Sequence, residues 1–141
     1  MPTYAECGGL MYLCEQIVDF AETPHPMTGI LPVSAVMGSR LALGYRQART
    51  LQDSPLVNQG TQLWGHEFHR SSLTQLADQP LFELSGYDSS DSPQLEGWQR
   101  YNVHASYLHL HFGARPDLLR RFLQAAEEFS ASASSPTLIL T

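Results

Sequence analysis

Residues 3–13, Thr-Tyr-Ala-Glu-Cys-Gly-Gly-Leu-Met-Tyr-Leu, constrain this chain more than any other stretch. A short β-type lead-in runs into Cys7, and two glycines follow. Leu10, Leu13, Ile17 and Phe20 then recur at helical spacing with Met11 and Cys14 beside them, which predicts a helix from residue 8 to about 20. Strand, cysteine, Gly-Gly, helix is the layout of a nucleophile elbow, where a sharp turn pushes one side chain out at the end of a sheet. Glycine is expected on its flank because larger side chains would clash in a tight bend. The helix start aims N–H groups and the positive end of a dipole at Cys7, which lowers a thiol pKa and favours the reactive thiolate. The Gly8 N–H is placed to donate to an oxyanion. A small buried cysteine ahead of a helix N-terminus has the same layout, and the elbow alone does not separate the two.

A cysteine nucleophile requires a base, and five of the six histidines fall in two short stretches. One is Trp-Gly-His-Glu-Phe-His, with His66, Glu67 and His69. The other is Val-His-Ala-Ser-Tyr-Leu-His-Leu-His-Phe, with His104, His109 and His111. On a strand, residues two apart share a face, so Glu67 and His69 are expected on one side and His66 on the other. Tyr107, His109 and His111 are expected to share a face by the same rule. Whether His66 and His69 line a pocket or merely pack stays open. A zinc site built from these histidines is disfavoured, because His-Glu-Phe-His is not the HExxH spacing that sets two ligands on one helix face.

Net charge of −6 and only eight basic residues argue against nucleic-acid or anionic-membrane partners, which require clustered Lys and Arg. No apolar run approaches the roughly 20 residues of a membrane span, and residues 1–15 lack the basic segment of a signal peptide. If Cys7 and Cys14 belong to one helix start they lie about 10 Å apart along it, too far for a disulfide, so both read as free thiols in a reducing cytoplasm.

Further along, Pro2–Ala5 reads as a short strand, and Thr23-Pro24-His25-Pro26 ends the first helix. Residues 27–40 carry mixed signals, with a short turn of helix before Gly38. Leu41–Leu51 and residues 61–73 read as the two strands of a hairpin, with Asn58-Gln59-Gly60 as a turn. Residues 74–100 read as mostly loop, with a brief pairing at Leu81–Leu84. Asp-Ser-Ser-Asp-Ser-Pro-Gln-Leu-Glu-Gly (88–97) reads as a solvated polar insertion without calcium-loop spacing. Residues 100–112 form one strand region. A closing helix begins near Pro116, with an apolar stripe of Leu118, Leu119, Phe122, Leu123, Ala126 and Phe129. Residues 1–130 are expected to form one domain and 131–141 a flexible tail.

Taken together, Ala5-Glu6-Cys7-Gly8-Gly9-Leu10-Met11-Tyr12-Leu13, Gly44-Tyr45-Arg46, Gly65-His66-Glu67-Phe68-His69 and Ala105 to Phe112 resemble the C-terminal glutaminase domain of the cobalamin-type class I glutamine amidotransferases, in the cobyrinate a,c-diamide synthase branch. The resemblance runs from residue 3 to about 129. It implies an α/β, flavodoxin-like three-layer sandwich that is incomplete, because the family's first strands precede the elbow. It implies Cys7 as nucleophile, His109 as its activating base, Gly8 as an oxyanion N–H, and Glu67 and His69 as substrate-positioning or pocket residues. Many class I glutaminases carry a Glu two residues after the histidine; His111 stands there, which resembles a Cys–His dyad branch.

The function so implied is hydrolysis of glutamine to supply ammonia for amidating corrin side-chain carboxylates. No cofactor is implied in this chain. ATP and Mg2+ belong to the family's synthetase domain, whose phosphate-binding loop has no counterpart here; the chain has no lysine. The expected partners are therefore glutamine, the missing N-terminal synthetase portion or chain, and a cobyrinate-like tetrapyrrole bound there. Two alternatives stand: a sister amidotransferase of the cobyric acid synthase type, and a non-catalytic remnant or interaction subunit.

Overall fold

The computed structural model describes residues 1–86 and 92–134 around a nine-stranded mixed sheet. In chain order the elements are β1 (Thr3–Glu6), α1 (Gly8–Leu13), β2 (Gln16–Val18), β3 (Pro24–Pro26), β4 (Ser34–Thr50), β5 (Gln62–Leu73), β6 (Pro80–Gly86), β7 (Gln94–Arg100), β8 (Val103–Ser106) and β9 (His109–Leu110). A 3-10 turn (Phe112–Ala114) and α2 (Pro116–Ser134) follow. The sheet order is β1-β8-β7-β6-β4-β2-β3, with β5 on β4 and β9 on β5. β1 runs parallel to β8 and β2 parallel to β4; the remaining pairs are antiparallel.

Strand alternation sorts the core into two layers. Ala5 and Ala105 pack with Leu10, Leu13 and Cys14 of the α1 region. Their strand neighbours Tyr4 and His104 turn the other way, toward Phe82 and Phe112. There the second cluster joins Ala48, Leu63, Leu81, Phe82 and Leu84 to Leu118 of α2. Helix, sheet, helix is the expected α/β sandwich. β1 lies at one edge of this sheet.

Several elements differ from the sequence reading. The helix after the elbow ends at Leu13, not near residue 20. Gln16–Val18 is a strand because it has a partner on each side, β4 and β3, and two β-branched residues suit it. Phe20, read as part of the apolar stripe, is exposed. The Pro24–Pro26 stretch is itself a strand at the other sheet edge, where a missing N–H is tolerated. The turn of helix expected before Gly38 is instead the first half of β4. The 74–100 region holds two full strands, paired Phe82 to Glu96 and Glu83 to Leu95.

The β4–β5 hairpin stands as read, with Ala48 opposite Leu63 and Tyr45 opposite His66; α2 forms where expected, but of its apolar stripe Leu118 is buried and Phe122 packs on the core while Leu119, Leu123 and Phe129 are exposed. Both cysteines are free. The insertion at 88–97 falls partly outside the described residues; its Gln94–Gly97 part is in β7. Residues 131–134 continue α2, and the rest of the expected tail lies outside the described residues. Among the described residues no helix is long and apolar enough to cross a membrane.

Candidate active site

Cys7 stands where β1 turns into α1. Its N–H donates to Ser106 O of the parallel neighbour β8 at 2.8 Å, and its φ is 50° with ψ −103°. A non-glycine residue held in this region marks a bend that the surroundings impose. The strain sits on Cys7 itself. A Cβ built on Gly8 meets nothing within 4 Å, and one on Gly9 meets only Ala5 Cβ at 3.5 Å. The steric need for flanking glycines expected from sequence is therefore absent; the space beside Gly8 is open instead.

The thiol also departs from expectation. Burial pushes the Cys7 thiol above its ordinary range, the Gly8 N–H at the sulfur pulls it down, and the Glu6 carboxylate pushes it up again. A six-residue helix start does not outweigh desolvation here. The resting group is a thiol, and a reaction through sulfur requires a base to take its proton.

His109 lies on β9, which pairs with β5 so that His66 faces His109 and Gly65 faces Leu110. Its Nδ1 is 3.1 Å from His66 O. The two imidazoles stack with centroids 4.7 Å apart and planes 13° from parallel. Among the described residues no hydrogen bond joins Cys7 to His109. Their segments are tied next door, where Glu6 Oε2 accepts the Leu110 N–H at 3.0 Å and the Tyr4 hydroxyl. His109 and His66 border a cleft of about 500 Å³ with Tyr45, Trp64 and His111.

Glu67 and His69 point to the opposite side of β5 from His66, as alternation requires. Glu67 Oε2 accepts from Arg46 Nε at 2.7 Å, and Glu67 Oε1 lies 3.4 Å from His69 Nε2. Burial opposes ionisation of Glu67, but the hydrogen bonds from His69 and Arg46 outweigh it and hold the carboxyl below its usual range. For His69, burial is likewise outweighed by Glu67 and the Ser71 carbonyl, and its pKa is raised. These residues line a second cleft of about 610 Å³ that also takes Arg40 and Arg70. The Tyr107 ring stacks on His69 at 3.9 Å. Ser71 Oγ lies 2.9 Å from the Tyr107 hydroxyl and 3.3 Å from Met11 Sδ on α1. The network therefore reaches the helix that begins at the elbow, and Cys7 packs on the same core cluster as Tyr107.

Tyr107 and His109 do not share a face, contrary to the strand rule applied to residues 100–112. The strand is interrupted at residues 107 and 108. There Glu96 accepts the Tyr107 N–H at 2.9 Å and the Ser106 hydroxyl at 2.6 Å, while Ser106 Oγ accepts the Leu108 N–H at 2.9 Å. Tyr107 is sent to His69 and His109 to His66. Glu96 lies in β7, a stretch whose polar, turn-rich sequence carries no signal of a site residue. Burial pushes its carboxyl up to about 7, against the two hydrogen bonds that favour ionisation.

Among known proteins, a CobB/CobQ-like glutamine amidotransferase domain is matched over residues 1–117. The cobyrinate a,c-diamide synthase of Synechococcus sp. is 54% identical over 131 residues, covering 93% of this chain and 28% of that protein. The cobyrinate a,c-diamide synthase of Synechocystis sp. is 41% identical, over 95% of this chain and 28% of its own length. A hydrogenobyrinate a,c-diamide synthase of Streptomyces coelicolor is 40% identical, over 87% of this chain and 24% of its own length. The chain thus spans little more than a quarter of the curated relatives it matches.

Proposed function

The chain belongs to the CobB/CobQ-like glutamine amidotransferase domain family, and on that premise we propose that it is the glutaminase portion of a cobyrinate a,c-diamide synthase, acting in cobalamin biosynthesis in the cytoplasm. The observation that carries the reading is Cys7, a non-glycine residue at φ 50° on a strand-to-helix turn, with the Gly8 N–H at its sulfur and open space beside Gly8.

In this reaction His109 Nε2 takes the Cys7 proton as sulfur attacks the side-chain amide carbon of glutamine. The Gly8 N–H holds the oxyanion that develops. The C–N bond breaks, the protonated His109 gives its proton to the leaving nitrogen, and ammonia departs. Water, deprotonated by the same histidine, then opens the thioester to glutamate and restores the thiol. Because the resting sulfur is protonated, attack requires His109 to take the thiol proton. Glu67 and His69, fixed by Arg46 and Tyr107, support the glutamine pocket from the other side of β5.

The ammonia passes to the remainder of the protein, which amidates the a and c carboxylates of cobyrinate or a related tetrapyrrole with ATP and Mg2+. This chain's residues do not fit that nucleotide. It has no lysine to serve a phosphate-binding loop. No step in this chain runs through ATP.

The non-catalytic reading draws on one observation, the missing Cys7–His109 hydrogen bond. One assay separates the two. Glutamate release is measured for the chain and for Cys7→Ser, alone and mixed with the polypeptide that supplies the rest of the relatives' length. Release that requires Cys7 supports the glutaminase; none in either mixture, from a folded chain, supports the remnant.

A further inference from the structure

The Gly65-His66 pair touches His109 by backbone and by ring at the same time. We propose that His66 is the positioning residue for His109, its carbonyl fixing which nitrogen carries the proton and its imidazole fixing the plane of the ring. The proposal rests on the glutaminase reading only for what the positioned nitrogen then does.

A carbonyl oxygen can only accept, so the 3.1 Å contact from His109 Nδ1 to His66 O puts the proton on Nδ1. That leaves the lone pair on Nε2, the nitrogen that must face a thiol. Among the described residues no carboxylate hydrogen-bonds either nitrogen of His109, so the carbonyl does the work that a side-chain acceptor does elsewhere. The stack at 4.7 Å and 13° then removes the ring's freedom to rotate out of that hydrogen bond. Tyr45 meets the His66 ring edge-on at 6.4 Å and braces it.

The backbone is built for this approach. The register sets His66 directly opposite His109, and a Cβ at Gly65 would lie 2.5 Å from His109 O. Only glycine lets the two strands come this close. On its other flank His109 is followed by Leu110, whose N–H is held by Glu6, the residue before the nucleophile. The base is thereby fixed to the strand that carries Cys7 and to the hairpin that carries His66.

The test uses the 141-residue chain, with imidazole 15N shifts recorded at about pH 8.5, above the ordinary histidine range. Wild type is expected to show His109 with the proton on Nδ1. His66→Phe keeps the stack and the carbonyl and is expected to match it. His66→Ala removes the stack, and His109 is expected to shift toward the Nε2–H form that imidazole prefers in water. Glutamine turnover, assayed with the remainder of the protein present, is expected to fall about tenfold in kcat for His66→Ala with KM little changed, and to recover in His66→Phe. A wild-type His109 protonated on Nε2 overturns the proposal, and this measurement needs no variant to fold. So does a His66→Ala spectrum identical to wild type. A chain that turns over no glutamine, yet loses the Nδ1–H form in His66→Ala, supports the positioning and counts against the glutaminase reading alone.

Discussion

Replacing Gly65 with alanine tests the close approach of β5 and β9 directly. The added Cβ would sit 2.5 Å from His109 O and 2.8 and 2.9 Å from Leu108 Cγ and Cδ1. Leu108 is fully buried and has no room to swing aside. His109 O is backbone, in a segment pinned one residue later by the Leu110 N–H on Glu6. Restoring an ordinary 3.4 Å contact requires the strands to part by about 0.9 Å. Overpacking of this kind costs about 1–3 kcal/mol, and contact with backbone and a fixed core leucine together puts this site near the upper end. The smaller entropy of an unfolded chain with alanine returns roughly 0.5 kcal/mol, so the expected net loss is about 2 kcal/mol.

Urea unfolding measures it, with an unchanged m value and a lower midpoint. For a chain of this length a loss of that size lowers Tm by about 6–8 °C. Gly8→Ala is the control: its Cβ meets nothing within 4 Å, and its stability is expected within about 0.5 kcal/mol of wild type. Equal midpoints for Gly65→Ala and Gly8→Ala would refute the argument that Gly65 is there for contact distance. The same displacement breaks the Nδ1 contact, so the His109 tautomer should change in Gly65→Ala as well.

Glu67→Gln leaves Arg46 and His69 without their carboxylate, and breaking a largely buried pair is expected to cost about 3 kcal/mol. Glu67 is held below its usual pKa, so its share is present above about pH 4.3 and lost as pH falls; His69 is raised, so its share is present below about pH 6.5 and lost as pH rises. Urea midpoints against pH should show the gap to wild type widest between those values; a gap that keeps growing above pH 8 contradicts the pairing. His104 is fully buried, and burial pushes its pKa down to about 3. The unfolded chain therefore binds the extra proton between about pH 6.5 and 3, and stability falls with pH there by up to about 1.4 kcal/mol per unit. His104→Phe should remove that slope in an acid titration followed by fluorescence, and an unchanged slope refutes the assignment. Alkylation of Cys7 by iodoacetamide, in a Cys14→Ser background, should accelerate with pH around a midpoint above the ordinary thiol value of about 8.5. A midpoint below it would show that the helix start, not burial, governs the sulfur.

The parts legible in the sequence are those whose causes are local. The elbow is legible in Thr3–Leu13 because the lead-in, Cys7, the two glycines and the helical spacing are consecutive, although its strand is completed by the distant β8. The β4–β5 hairpin is written in alternation and a turn, and α2 in helical spacing after Pro116, although Leu119, Leu123 and Phe129 of that stripe are exposed. From alternation alone Glu67 parts from His66, and the structure keeps them on opposite sides of β5.

The rest depended on partners remote in sequence. Gln16–Val18 carries apolar residues that suit helix or strand, and β3 and β4 decide for strand by taking its hydrogen bonds. β6 shows in the sequence only as a brief pairing at Leu81–Leu84, and its full length depends on β7, whose polar, turn-rich run reads as loop until it pairs across residues 82–96. The run from Val103 to His111 looks like one strand until Glu96 accepts the Tyr107 N–H and Ser106 accepts that of Leu108. That interruption flips His109 away from Tyr107 and onto His66. Chain order settles which residue types are available for the chemistry and marks where a bend is expected. Which of them meet depends on the folded sheet, because register, burial and the break in β8–β9 come from hydrogen bonds between segments that the chain order keeps far apart.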